Sequence, residues 1–180
     1  MRAAAGSGRL SVVVGWDGQN IETQGVSAME AVQLTRWKHD PEVREVAQPD
    51  PGPGQVLLKV GGAGMCHSDL HLIHDFESGM VPFEPPFTLG HENAGWVEAL
   101  GAGVSGLEIG QPLAVYGPVG CGRCHRCVQG MENYCERQAE LTSMAAGLGD
   151  DGGMAPYMLV NDTRHLLPLG DLDPVQAAPL

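Results

Sequence analysis

Four cysteines crowded into residues 121–135 constrain the fold of this chain more than any other feature. They are Cys121, Cys124, Cys127 and Cys135, and glycines at positions 120, 122 and 130 permit tight backbone turns between them. Four thiolates at this spacing are typical of a closed tetrahedral zinc site, which leaves no position open for chemistry. We therefore predict a structural zinc lobe at residues 117–137, which stabilises a loop and takes no part in catalysis.

Two other uses of these cysteines fit the pattern less well. A bacterial iron–sulfur motif shares the first three cysteines, but its fourth cysteine follows after three residues and precedes a proline. Here seven residues intervene and Glu136 follows. A disulfide framework is disfavoured by the odd total of five cysteines and by their clustering, which suits metal binding in a reducing compartment. We therefore expect a cytoplasmic protein. His125, which lies among the cysteines, is expected to be solvated and not to bind the metal.

A second group of metal-ligand residues is split between two stretches of the sequence. Cys66, Ser68 and Asp69 follow the glycine-rich segment 61–64, which we predict to be a turn, and His91 lies further along between glycines. A catalytic zinc takes three ligands of the cysteine, histidine or carboxylate kind and keeps one position open. Cys66 and His91 are predicted to be two of the three.

These residues resemble those of zinc-dependent medium-chain alcohol dehydrogenases. The signature Gly-His-Glu-x2-Gly-x5-Gly-x2-Val is matched at every fixed position by Gly90, His91, Glu92, Gly95, Gly101 and Val104. The resemblance extends over residues 29–180, also includes the cysteine lobe, and is strongest to bacterial secondary-alcohol dehydrogenases. It implies a mainly β fold, a GroES-like barrel with short helices and a structural zinc lobe.

The resemblance also implies roles for individual residues. Ser68 would relay the substrate proton, with His67 as the next group in the relay or as a contact of the cofactor. Asp69 would accept the far ring N–H of His91, and Glu92 would lie beside the metal and approach it when other ligands rearrange.

Each of these residues also has a purely structural interpretation. Cys66 is of a type that is commonly buried, and His91 could be a core histidine bonded to backbone. Ser68 could cap a helix and Asp69 could be an ordinary first-turn acid. Glu92 could be a salt-bridge partner, and the sequence does not separate that role from metal binding.

Three further histidines, His67, His71 and His74, follow a helical spacing that would place them on one face. We expect no second metal site there, because the loop that follows argues against two full turns of helix. The histidines are instead expected to line a pocket wall or to face solvent, and His71 and Phe83 are candidate pocket residues.

The resemblance implies two zinc ions, one structural and one catalytic, and NAD(P) as the hydride carrier for a small alcohol, ketone or aldehyde. In the family the third catalytic ligand and the nucleotide-binding Rossmann domain come after the position of Leu180. We therefore expect an incomplete catalytic ligand set and no dehydrogenase activity from this chain alone, while relatives of full length could form homo-oligomers.

A glycine pattern in the same region imitates a dinucleotide-binding fingerprint. Gly101, Gly103 and Gly106 spell Gly-x-Gly-x-x-Gly after a strand-like run. That fingerprint needs a helix to follow and an acid about 20 residues on. Gly110 and Pro112 argue against such a helix, so we predict plain turns.

Composition agrees with a β-rich protein that binds a small molecule. The chain has 26 glycines and 13 prolines, which indicates many turns and short strands. Its net charge of -12 disfavours nucleic acid and anionic membranes as partners, and no apolar run approaches the roughly 18 residues of a membrane span.

Periodicity locates the elements. We predict strands at 31–37, 43–46, 55–60, 95–100, 112–116, 154–160 and 165–167, a helix at 66–73 and a proline-broken loop at 76–87. Residues 1–28 are expected to be a disordered extension that precedes the domain at 29–180. A non-catalytic zinc-binding module with the same barrel remains the alternative to an enzyme, because fold does not determine function.

Overall fold

Strands dominate the structure, a computed structural model that describes residues 11–12, 23–24 and 27–179. Along these residues the chain forms, in order, β1 (Ser11–Val12), β2 (Thr23–Gln24), β3 (Ala28–Leu34), β4 (Glu42–Ala47), β5 (Val56–Gly64), α1 (His67–His74), β6 (Phe87–Thr88), β7 (Glu92–Leu100), β8 (Pro112–Val115), β9 (Ala145–Ala146), β10 (Gly149–Asp150), β11 (Tyr157–Val160), β12 (Leu166–Pro168) and α2 (Pro174–Ala177). Short 3-10 helices lie at Cys127–Gln129, Glu132–Tyr134, Gln138–Glu140 and Thr163–His165. The predicted mainly β class is confirmed.

The largest sheet has five antiparallel strands in the order β11, β5, β7, β8 and β12. Side chains alternate across the sheet, so one face of each strand is apolar and buried. Seven of these side chains form one hydrophobic cluster: Val56, Leu58, Val97, Leu113, Met158, Val160 and Leu166. Because Val97 of β7 is part of this cluster, the cluster helps to fix the position of β7 and of Glu92, its first residue.

A second core joins a three-stranded sheet to helix α1. The sheet has the order β4, β3 and β6. Buried side chains from the sheet, from α1 and from the segment between α1 and β7 form one cluster: Leu34, Leu72, Ile73, Phe83, Phe87 and Leu89. The backbone N–H of Val32 donates to the carbonyl of Met154 at 2.9 Å, which ties this sheet to the segment that leads into β11. Two-residue pairs, β1 with β2 and β9 with β10, complete the described strands.

The predicted turn at residues 61–64 is wrong, because β5 continues through Gly64 and pairs with β7. The glycines in this segment lack a Cβ and so allow neighbouring elements to pack closely against β5. A Cβ at Gly61 would lie 2.8 Å from the ring of Trp96, and one at Gly62 would lie 3.0 Å from the Cβ of Ala178. Glycine within a strand commonly marks such an approach, and the pairing shifts register between Val60 and Gly62.

The other predicted elements agree with the structure apart from their ends. The strand predicted at 31–37 is β3, which begins and ends three residues earlier, and the helix predicted at 66–73 is α1. Gly103 and Gly106 lie in turns with φ of 83° and 79°. In the described chain no helix follows them before β8, in agreement with the turns predicted there.

Residues 1–28, predicted to be a disordered extension, lie outside the described residues except for β1, β2, Ser27 and Ala28. The division of the chain at residue 29 therefore stays a prediction. Among the helices that the structure does describe, none has the length and apolar character needed to cross a bilayer.

Candidate metal centres

The four cysteines of the lobe form a compact sulfur cluster. Their Sγ atoms all lie within 4.8 Å of one another, and those of Cys121 and Cys127 are 4.0 Å apart. Tetrahedral zinc with bonds of about 2.3 Å requires sulfur atoms about 3.8 Å apart. All four are free thiols, and Cys124, Cys127 and Cys135 are buried. The donor set and its spacing therefore fit a zinc ion.

Backbone N–H groups point at these sulfur atoms. Cys124 N donates to Cys121 Sγ at 3.3 Å, and Cys127 N donates to Cys124 Sγ at 3.4 Å. The N–H of Cys127 is the main cause that lowers the pKa of Cys124 to about 6, whereas burial is the main cause that raises the pKa of Cys127 to about 12. Because thiolates are the metal ligands, a bound cation is what allows the buried cluster to lose all its protons.

Arg164, between β11 and β12, binds residues of the zinc lobe. The sequence analysis did not identify this residue. Its Nη2 donates to the carbonyl of Gly120 at 2.6 Å, and its Nη1 lies 3.4 Å from Oε1 of the buried Glu132. A Cβ at Gly122 would lie 2.3 Å from Arg164 Nη1, so this glycine makes room for the guanidinium. Position 164 lies between β11 and β12, too far along the sequence to be linked to the cysteines by spacing.

The second centre contains Cys66, His91 and Glu92. One ligand atom from each lies within 4.8 Å of the others, and all three residues are half-buried. Cys66 is the residue before α1, and His91 and Glu92 lie where β7 begins. Gly64 pairs with Glu92 across β5 and β7, and a Cβ at Gly64 would lie 2.2 Å from Glu92 Oε2. The last glycine of β5 therefore makes room for this carboxylate.

Asp69 lies fully buried behind His91. Its Oδ2 accepts the backbone N–H of Cys66 at 2.8 Å, and its Oδ1 lies 3.4 Å from His91 Nδ1. Neither Oδ1 nor Nδ1 has a hydrogen bond of ordinary geometry. The carboxylate is nevertheless the main cause that raises the pKa of His91 to about 9.

The other ring nitrogen of His91 faces Ser68. His91 Nε2 lies 3.1 Å from Ser68 Oγ. A hydrogen bond from Ser68 is also the main cause that lowers the pKa of Cys66. Nε2 is the ring atom available to a metal because Nδ1 is turned to Asp69, and a buried carboxylate at the far nitrogen is a common partner of a ligating histidine. The arrangement fits a zinc ion held by Cys66, His91 and Glu92.

The three histidines of α1 are arranged differently from our expectation. The helix has eight residues, two full turns, so the reason that we gave against a metal site there was wrong. The rings of His67 and His71 lie edge to face, with centroids 4.8 Å apart, and His71 Nδ1 is 2.5 Å from Asp75 Oδ2. Among the described residues the three histidines still form no third cluster of metal ligands, and His67 is not part of the Cys66 group.

Two cavities meet at Ser68. The first, which we call the metal-side cavity, has a volume of about 320 Å³ and includes His91, Asn133 and Gln138 in its lining. The second, the apolar cavity, has about 350 Å³. Its lining includes His71 and Phe83, the two predicted pocket residues.

Comparison with known proteins agrees with this geometry. Residues 52–171 match the model of the alcohol dehydrogenase GroES-like domain. L-threonine 3-dehydrogenase of Pyrococcus furiosus is 35% identical over 132 residues, which are 73% of this chain and 36% of that enzyme. The chain thus spans less than half the length of such relatives.

Solved structures give the same result for the fold. The D-arabinose dehydrogenase of Sulfolobus solfataricus superimposes with a TM-score of 0.72 at 33% identity over 85% of this chain and 44% of that one. The thermostable alcohol dehydrogenase of Pyrobaculum aerophilum with cobalt and zinc bound gives a TM-score of 0.71 at 32% identity, over 86% of this chain and 45% of that one. The chain therefore belongs to the family of zinc-type medium-chain alcohol dehydrogenases and carries their GroES-like domain.

Proposed function

We propose that this chain is the zinc-binding catalytic domain of an NAD(P)-dependent alcohol dehydrogenase that interconverts a primary or secondary alcohol with an aldehyde or ketone. The observation that carries the proposal is the meeting of Cys66, His91 and Glu92 within 4.8 Å, beside Ser68 and two cavities. Relatives named as a threonine and an arabinose dehydrogenase support this class of reaction.

The chain's own residues position the substrate and move its proton. When bound, zinc supplies a Lewis acid for the alcohol oxygen, and a nicotinamide cofactor supplies the hydride acceptor. Ser68 lines both cavities, so its hydroxyl is placed to accept the proton of a substrate hydroxyl. His67, the neighbouring residue at the exposed start of α1, is the group that we propose as the next proton acceptor or as a contact of the cofactor.

Asp69 and Glu92 complete the centre in this proposal. Asp69 holds the ring of His91 with Nε2 toward the metal, and its negative charge makes that nitrogen a better donor. Glu92 would provide the third donor. The described residues would then hold the cysteine, histidine and carboxylate donors that a catalytic zinc uses, in place of the incomplete ligand set that we expected from the sequence. A zinc ion held by these three residues would keep a fourth position for the substrate oxygen.

The remaining assignments belong to the same proposal. The domain runs over residues 29–180, with its structural zinc in the lobe at 117–137. The protein works in the cytoplasm, because thiolate clusters persist where thiols are kept reduced. Its partner is a small alcohol, ketone or aldehyde. Nucleic acid is not proposed as a partner, because the chain is acidic, with a net charge of -12.

Zinc content per chain tests the proposal. The chain is purified without added metal, and elemental mass spectrometry is applied to it and to Cys66→Ala and Cys124→Ser. We expect close to two zinc ions per chain and the loss of one with each substitution. Asp75→Asn, at the exposed residue that follows α1, is the matched control and should keep both. Zinc that is insensitive to Cys66→Ala, or no zinc at all, would refute the proposed centre.

A further inference from the structure

One face of helix α1 presents two histidine rings to solvent. His67 and His71 lie four residues apart and are both exposed, and the centroids of their rings are 4.8 Å apart with the ring planes at 80°. On the opposite side of the helix, Leu72 and Ile73 are buried in the second hydrophobic core. Because this core fixes which side of α1 is turned outward, both rings remain on the outer face.

Asp75 prepares the ring of His71 to bind a metal. Its Oδ2 lies 2.5 Å from His71 Nδ1, so the carboxylate accepts the proton of Nδ1 and the free lone pair of the imidazole is left on Nε2. A carboxylate at the far nitrogen is a common support of a ligating histidine, because it fixes the tautomer and makes the ring more basic. Asp69 and His91 form a similar pair in the Cys66 centre.

The spacing of the two histidines suits one ion held between them. Two histidines four residues apart on one helix face are a known metal-binding arrangement, and imidazole nitrogens are good ligands of Zn²⁺, Ni²⁺ and Cu²⁺. Among the ring contacts of the described residues, His71 pairs with His67 and not with His74. Two protein ligands are fewer than the three or four of the other centres, so water would complete the coordination and the ion would bind less tightly.

We propose that His67 and His71 form a third site for a divalent cation of the zinc, nickel or copper class, separate from the two zinc centres. Neither Cys66 nor His91 is a ligand of this ion. Under the proposed function, on which this consequence rests, the ion occupies the imidazole of His67 and competes with its role as proton acceptor or cofactor contact. Excess metal would then inhibit the reaction.

Zinc binding by the whole 180-residue chain tests the site. The chain, already carrying its tightly bound zinc, is dialysed at neutral pH against increasing zinc chloride, and bound zinc is counted by elemental mass spectrometry. We expect one further ion per chain, which His67→Ala and His71→Ala each abolish in the range that saturates the parent. Asp75→Asn should keep the tightly bound zinc but raise the Kd of the further ion about ten-fold or more.

His74→Ala is the matched control, because it removes an exposed histidine from the same helix and should leave the further ion in place. Proton–nitrogen NMR spectra of the histidine rings should show shifts at His67 and His71 when zinc is added. A further ion that binds both His67→Ala and His71→Ala as tightly as the parent is an adventitious ion only, and overturns the proposal. Absence of a further ion, or equal dependence on His74, also overturns it.

The same titration of Cys66→Ala separates this inference from the proposed function. The further ion should still bind to that variant, since it does not use Cys66. A failure of the Cys66 centre appears in the count of tightly bound zinc, whereas a failure of the histidine site appears only in the further ion.

Discussion

The two metal centres are built in opposite ways. The cysteine lobe takes all four donors from one short segment, buries three of them and closes the site. The Cys66 centre takes its donors from the beginning of a helix and the beginning of a strand, leaves them half-buried, and has His91 in the lining of the metal-side cavity. A local, closed set of ligands stabilises the chain that supplies it, whereas an open set assembled by tertiary structure leaves room for a substrate.

The largest effect is expected from breaking the closed centre. Cys124→Ser removes one of four ligands from a lobe whose stability depends on the metal, because binding free energy of a structural zinc is also folding free energy. We expect a loss of more than about 4 kcal/mol, which lowers Tm by about 10 °C in a domain of this size. Thermal unfolding followed by circular dichroism, with zinc content measured in parallel, checks this.

The matched control lies four residues away in the same lobe. Val128→Ser changes an exposed side chain and should leave both Tm and zinc content unchanged. An equal fall of Tm in Cys124→Ser and Cys66→Ala would contradict the comparison, because the open centre would then stabilise the chain as strongly as the closed one.

A smaller loss is expected where the lobe is fastened to the barrel. Arg164→Ala removes the donor to the Gly120 carbonyl and leaves the buried carboxylate of Glu132 without its cation. An unpaired buried partner costs about 2–3 kcal/mol. We expect Tm to fall while both zinc ions are retained, since no ligand has been changed.

Arg164→Lys sharpens this second test. Lysine keeps the charge but loses the planar fork that reaches two acceptors at once, so its Tm should lie between those of the parent chain and Arg164→Ala. Loss of the lobe zinc in Arg164→Ala would show that the arginine holds the ligands themselves and not only the lobe as a body.

The third effect concerns metal affinity at the open centre. Asp69→Asn keeps an acceptor for the backbone N–H of Cys66 but removes the negative charge behind His91. Changes at such supporting residues weaken metal binding about 10- to 100-fold. Competition with a chromophoric chelator should show this loss for one zinc ion only, with the lobe zinc unaffected. If both zinc ions weaken together, Asp69 supports the fold and not the open centre.

The same contrast explains what could be predicted from the sequence. The cysteine lobe is encoded by spacing within one segment, so Cys121 and its partners were visible at once. Glu92 remained ambiguous because its approach to Cys66 depends on the pairing of β5 with β7, in which Gly64 lies opposite Glu92. The space that Gly64 leaves for that carboxylate becomes apparent only in three dimensions.

Errors arose where one element contacts another that is distant in sequence. The run 61–64 resembles a turn because glycines are common in turns, but Gly61 faces Trp96 and Gly62 faces α2. Arg164 gives no sequence signal for the same reason, since an arginine between two strands is ordinary until the lobe that it holds is known.

The smallest expected effect is a loss of stability at acidic pH that comes from neither metal centre. His165 is buried beside Tyr116, with Nε2 unpartnered in the described structure, and burial lowers its pKa below 6.5. The unfolded chain then binds the proton more readily, so the contribution of His165 to stability is complete above pH 6.5 and is lost as pH falls toward its folded-state pKa. His165→Phe keeps an aromatic ring against Tyr116. Its Tm should fall less between pH 7 and pH 5 than the Tm of the parent chain. Zinc content at each pH separates this effect from protonation of the cysteines: if the parent and variant lose Tm equally, and in step with zinc, the acid sensitivity belongs to the lobe and not to His165.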